Sequence, residues 1–316
     1  MSGTGWYPTR AMAFIGLENL IIPESGGDGY FVVGLADVLG QSERLLAYND
    51  PPPEGLANRE KLAALRSETL VPVQQFRKDF LDQFRSYEKA AAKSPLNCIR
   101  GPVGELLDSI DSEPVGVHAF SDLVALSLSL GSKSKAVPMQ GVYLMTAAFG
   151  IASLFSLYRG HPIRGGIELD VAWPIRRHEI QSEIYGPALA KAYHLESKVA
   201  DYPRIVVGEN LLRYNDLWAL LPDSDDIFQN ANREYAHYVR NFLVTDDDGK
   251  TVVNPFGDRT EDGKKQRRQV VDRCFQFADG ERKKFESCGD TKLTARYSRL
   301  ISFIQKHGGD ANGEKA

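Results

Sequence analysis

Cysteine is scarce in this chain. Of 316 residues only three are cysteines, namely Cys98, Cys274 and Cys288. None stands at CxxC spacing from another, so neither a disulfide framework nor a zinc site is expected, and a reducing compartment is implied. Long apolar runs are missing too. The longest candidate, Val142 to Tyr158, is interrupted by Thr146, Gly150, Ser153 and Ser156 and falls short of the ~20 residues that span a bilayer. The first residues show no basic segment leading into an apolar signal core. These absences predict a soluble, cytoplasmic protein with no direct membrane contact. An excess of either charge is also lacking. With 38 basic and 42 acidic residues the net charge is −4, which argues against a nucleic-acid partner, because phosphate contacts need a clustered basic surface.

What is present is the composition of a folded chain, 42% hydrophobic and 25% charged, long enough for one large domain or two smaller ones. Ala11 to Ile22 is an aliphatic run stopped by Pro23 and Gly26-Gly27, and it is expected to be a buried strand ending in a loop. Tyr30 to Leu39 is apolar and either continues the strand system or begins a helix. Asp50-Pro51-Pro52-Pro53-Glu54 is a stiff turn. Leu56 to Ala92 has helical composition, with Pro72 expected to divide two helices. Pro114 to Leu130 alternates as one or two strands. Met139 to Tyr158 is expected to be a buried helix, Ile163 to Ala172 a strand, Glu183 to Ala200 a second helix and Arg204 to Val207 a short buried strand. Helices flanked twice by strands describe an α+β sandwich of ferredoxin-like type. Beyond Glu209 the pattern turns helical and polar, broken by the turn Thr245 to Lys250, and Arg296 to Lys306 has the pattern of a last helix.

Three blocks carry the chemistry. Phe120-Ser121-Asp122-Leu123-Val124 places an acid inside an apolar stretch, where an unpaired charge is costly. Arg164-Gly165-Gly166-Ile167 follows. Tyr185-Gly186-Pro187-Ala188-Leu189 then leads through Tyr193-His194-Leu195-Glu196 to Tyr202-Pro203-Arg204-Ile205-Val206-Val207. In this order the blocks resemble the catalytic domain of class III nucleotidyl cyclases, above all the pyrimidine cyclases of Pycsar anti-phage defence. The resemblance covers roughly residues 10–210. It implies a catalytic domain over residues 1–210 with a ferredoxin-like cyclase core, and it leaves 211–316 as a helical C-terminal extension.

The resemblance implies conversion of UTP or CTP to a 3′,5′-cyclic monophosphate and pyrophosphate, with Mg²⁺ or Mn²⁺ held by carboxylates. It further implies a homodimer whose site forms between two chains, and a separate effector that responds to the cyclic nucleotide. Asp122 corresponds to one of the family's two metal aspartates. The other is sought in Phe14-Ile15-Gly16-Leu17-Glu18, where Gly16 offers no ligand and Glu18, on the same strand face, is the candidate. Arg204 stands where the family has a phosphate-binding cation, whereas Arg164 is expected to pair with Glu168 or Asp170. Gly26 and Gly27 offer amides to phosphate, and Tyr48 or Tyr185 would narrow the pocket around a single-ring base. Ala190 and His194 occupy the positions of the asparagine and arginine that steady the transition state in adenylate and guanylate members; His194 is the catalytic candidate there. Those departures also suit an alternative, a weakened cyclase-like domain that binds nucleotide or a partner.

Overall fold

The computed structural model describes residues 29–46, 48, 58–91, 116–130, 137–177, 181–257 and 264–308. The expected strand over Ala11 to Ile22 lies outside them. An internal strand of the sheet is β1, Gly29–Val38, flanked by β3 and β4, which settles the open reading of Tyr30 to Leu39. Its residues alternate between two packed faces, Val32, Ala36 and Val38 toward one cluster and Val33 and Leu35 toward another, as a strand buried on both sides requires.

Between β1 and the next strand come α1 (Gln41–Leu46), α2 (Arg59–Glu68) and α3 (Leu70–Ala91). The break expected at Pro72 falls at Thr69, which caps α2. Pro72 sits in the first turn of α3, where a missing N–H costs nothing. Strands β2 (Gly116–Phe120) and β3 (Leu123–Ser129) form a hairpin. Then α4 (Pro138–Tyr158) crosses to the long strand β4 (Ile163–Arg177). The spatial order is β2-β3-β1-β4 with every neighbour antiparallel. This is the split βαββαβ arrangement of a ferredoxin-like sheet, so the α+β expectation holds.

Helix α4 is apolar all round and mostly buried, the mark of a central core helix. It packs on the sheet and on α3. Its Phe149 ring lies where a side chain on Gly34 of β1 would stand, and Phe80 of α3 meets that ring edge-on at 4.7 Å. Glycine at 34 is therefore what lets an aromatic ring seat on the central strand.

The segment expected as one helix from Glu183 to Ala200 divides. Strand β5 (Gln181–Tyr185) folds back on β4, Gly186 turns the chain at φ 134°, and α5 (Pro187–His194) follows, closed by a π-turn over Leu195–Val199. Then β6 (Ile205–Val207) joins β4 in parallel. The C-terminal part is mostly helical, with α6 (Glu209–Ala219), α7 (Ile227–Asn241), α8 (Lys264–Ser287) and α9 (Thr291–His307). It also extends the sheet. Strands β7 (Leu243–Thr245) and β8 (Thr251–Val253) pair with each other, and Val252 pairs with Val206 of β6. One sheet thus runs across the boundary expected at 210.

Replacing Phe149 by Ala removes the ring seated on Gly34 and is expected to cost about 3–5 kcal/mol in urea unfolding. A loss under ~1 kcal/mol would show that the β1–α4 contact is not a main support of the core.

Candidate active site: carboxylates at the end of the central strand

Asp37 is the one acid of β1, next to its last residue, opposite Leu123 of β3 and opposite Arg164 of β4. Period-two alternation puts it on the face of Val33 and Leu35. Asp122 lies in the tight turn between β2 and β3, not within a strand as expected, and its carbonyl accepts from the Val38 N–H at 3.3 Å. The hairpin therefore brings Asp122 beside Asp37.

Two further residues close the cluster. The Arg164 guanidinium donates from Nε to Glu196 Oε1 at 2.6 Å, and its Nη2 stands 3.9 Å from Asp37 Oδ2. Glu196 arrives through the π-turn that ends α5. A side chain on Gly166 would lie 2.5 Å from both the Ala192 carbonyl and the Leu195 Cβ, so the missing side chain is what lets α5 settle onto β4 and deliver Glu196. Glu196 is buried, and Asp37 and Arg164 are each about one-fifth exposed.

The electrostatics follow from this crowding. Burial, then the charges of Asp122 and Glu196, push the Asp37 carboxyl up to about 7; Arg164 and the Val38 N–H pull it down less. Glu196 is likewise pushed up, chiefly by burial, and Arg164 only partly offsets this. Asp37, Asp122 and Glu196 thus lie close enough to repel one another, and Arg164 pairs with Glu196 and approaches Asp37. Such an excess of negative charge suits a divalent cation with hard oxygen ligands. Among the described residues no group of three or more His, Cys, Asp or Glu is disposed to hold a metal.

The residues expected from the sequence distribute unevenly. Glu18, Gly26 and Gly27 lie outside the described residues. The first-strand acid in the central sheet is Asp37, and the signal for it was an aspartate after two aliphatic positions, Leu35-Ala36-Asp37-Val38, closing an apolar run. Arg204 is corrected. It is 4% exposed, lies over the Tyr202 ring at 4.6 Å, and donates to Asp246, to Asp248 Oδ2 at 2.6 Å and to the Val199 carbonyl at 2.9 Å. Both terminal nitrogens are spent inside the protein, which leaves them no phosphate to bind.

The expected partners of Arg164 are engaged elsewhere as well. Glu168 Oε1 accepts the Leu169 and Leu211 N–H groups at 2.8 and 3.1 Å, fixing the start of α6, where Gly208 leaves it room. Asp170 takes Lys191 and, at 3.1 Å, Asn210. His194 is exposed at the end of α5. Tyr48 is half-buried beneath the Lys61 ammonium, 5.5 Å from its ring centre. Tyr185 is 65% exposed and stacks on Trp173 with centroids 6.3 Å apart, at the far end of β4 from Arg164.

No protein-family model and no curated protein matches the chain. Among solved structures it is similar to a bacterial light-regulated adenylyl cyclase, at 11% identity over 60% of this chain and 81% of that one, with a TM-score of 0.35. It is also similar to the adenylyl cyclase CyaB from P. aeruginosa, at 14% identity over 74% and 97% of the two chains and a TM-score of 0.32. A class III adenylyl cyclase-like ATP-binding protein from Pseudomonas aeruginosa overlaps at 16% identity over 75% of this chain and 50% of that one, also with a TM-score of 0.32. The overlaps are partial, and the strand order and the carboxylate pair stand without them.

The raised Asp37 carboxyl has a stability signature. Its pKa moves from 3.8 when unfolded to about 7 when folded, so the native state holds the proton more tightly. That contribution is fully present below about pH 4 and is lost as pH rises through about 7. Without divalent cation, Asp37→Asn is expected to flatten this decline and to stabilise the chain by roughly 1–4 kcal/mol at pH 8. Parallel stability–pH curves for the two proteins would contradict it.

Proposed function

We propose that this chain is a nucleotidyl cyclase of class III type that converts UTP or CTP to the 3′,5′-cyclic monophosphate and pyrophosphate. The observation that carries the reading is the juxtaposition of Asp37 and Asp122 at the end of the central strand of a split βαββαβ sheet. Asp37 and Asp122 would hold Mg²⁺ or Mn²⁺, which supplies charge stabilisation at the attacking and leaving oxygens of an in-line displacement. Arg164, tied to Glu196 and turned toward Asp37, is the cation suited to a phosphate oxygen. It takes the role that the sequence had suggested for Arg204.

The homodimer proposal gains support from distance along the sheet. Tyr185 faces Trp173, whereas Asp37 faces Arg164; the gap along β4 is roughly 30 Å at about 3.3 Å per residue. One chain cannot bring Tyr185 and the carboxylates to one nucleotide, but two chains paired head to tail would. Trp173, Tyr185 and Tyr193 are exposed apolar groups on β4, β5 and α5, available for such a face.

Preference for a pyrimidine is the finer part of the proposal. It rests on Ala119 and Pro187 in place of an adenine-reading pair and on the likeness of the Tyr185-Gly186-Pro187-Ala188 block to the pyrimidine subgroup. An anti-phage role with a separate responding effector is proposed on the same likeness. The weakened-cyclase alternative keeps Ala190 and His194 as its motives. It loses the argument from Gly16, since Asp37 supplies a first-strand carboxylate.

Purified protein incubated with each of the four ribonucleoside triphosphates and Mn²⁺ is expected to cyclise a pyrimidine substrate at least ~10-fold faster than either purine, a difference of about 1.4 kcal/mol. Asp122→Ala should lower the yield by at least ~100-fold while leaving the circular dichroism unchanged. Cyclic AMP or cyclic GMP as the main product overturns the base assignment, and no cyclic product from any of the four overturns the cyclase. Dilution supplies a separate check on the shared site. Activity per chain should fall as the dimer dissociates, and full activity from a monomer by light scattering would remove the second chain from the site.

A further inference from the structure

The turn that presents Asp122 is held in a conformation its sequence does not favour. Ser121 has φ 52°, and among the described residues it alone combines a side chain with the left-handed region, where a Cβ crowds the backbone. A strained turn persists when its surroundings over-determine it. Two contacts do so here. The Val38 N–H holds the Asp122 carbonyl, and the Arg77 guanidinium, from α3, donates to the Ser121 carbonyl.

Arg77 is well placed for the task. Its neighbours on the helix, Phe76 and Phe80, are 4% and 0% exposed in the core beneath the sheet, and Asp79 pairs with Arg159 just past the end of α4. The helix backbone is thereby fixed, and Arg77 emerges beside the β2–β3 hairpin. Its Nε is buried without a partner, while the guanidinium tip makes its contact with Ser121 at the surface.

We propose that Arg77 is a positioning residue for the carboxylate pair: by clamping the left-handed Ser121 peptide it sets Asp122 against Asp37, and so sets the affinity of the pair for a divalent cation. This rests on the cyclase reading only through the cation. Ordinary packing would be satisfied by any long side chain at 77, whereas the clamp needs a donor at its end, and a turn that needed no clamp would carry glycine at 121.

Mn²⁺ binding to the purified full chain without nucleotide, followed by calorimetry and by the loss of free-ion EPR signal, tests this. Arg77→Met, which keeps the length and loses the donor, is expected to weaken binding about fivefold, the net worth of one hydrogen bond, with near-ultraviolet circular dichroism unchanged. Arg77→Lys should recover part of the loss. Ser121→Gly added to Arg77→Met should restore affinity to within about twofold, because glycine adopts the turn unaided. Wild-type affinity in Arg77→Met, or a loss that Ser121→Gly does not rescue, overturns the proposal. Failure of wild type to bind Mn²⁺ overturns the metal reading together with it. Tight Mn²⁺ binding without any cyclic product sinks the cyclase alone.

Discussion

Repulsion among neighbouring carboxylates is the constraint on which the candidate site depends. Glu196 is buried and Asp37 partly so, Asp122 stands beside them, and among the described residues Arg164 is a cation that touches both Asp37 and Glu196. Left alone, the cluster costs stability once Asp37 ionises, because desolvation and like charge act in the same direction. In the proposed function, a divalent cation or a metal-bound triphosphate is the counterpart that would turn this cost into affinity.

The scaffold converts separate stretches of sequence into that cluster. Strand β1 carries Asp37 next to its last residue, the β2–β3 hairpin delivers Asp122, β4 carries Arg164, and the π-turn after α5 delivers Glu196. Each delivery depends on a local device. Gly166 lets α5 approach, Gly34 makes room for Phe149 under β1, and the left-handed Ser121 aims the hairpin. In the proposed function small displacements of the carboxylates would matter, so devices remote from them would bear on it. The C-terminal part contributes differently. Asp246 and Asp248, from the β7–β8 turn, close over Arg204, so the extension locks the base of β6 and is not an independent appendage.

Much of the fold was legible in the sequence because helices of this length announce themselves. Helix α4 is a largely apolar run that begins one residue before its expected start, and α9 is an amphipathic one that begins at Thr291, ahead of the expected Arg296. Of the short strands, β6 was expected over Arg204 to Val207, but β5, β7 and β8 were not. Strand β5 has five residues directly before Gly186-Pro187 and merges with the helix that follows, while β7 and β8 have three residues each, too few for a period-two pattern to register. Asp122 was legible because an acid in an apolar stretch demands a reason. Asp37 offered the same signal, but an earlier apolar run, Ala11 to Ile22, competed for the place of first strand. The contacts of Arg204 were not legible for a further reason. Local sequence shows Arg204 at a strand mouth, and it cannot show that Asp246, 42 residues later, folds back to neutralise it.

The account makes the Asp37 carboxyl the register of the whole arrangement, since its proton affinity reports the burial, the neighbouring Asp122 and the distance to Arg164 together. The most direct measurement is an NMR titration of the Asp37 side-chain carboxyl carbon in wild type and in Asp122→Asn, without and with saturating Mg²⁺. The account predicts a midpoint at about 7 in cation-free wild type, a lower midpoint once Asp122 loses its charge, and a fall toward the ordinary carboxylate range when Mg²⁺ is added. A wild-type midpoint near 4 that responds neither to Asp122→Asn nor to Mg²⁺ would contradict it.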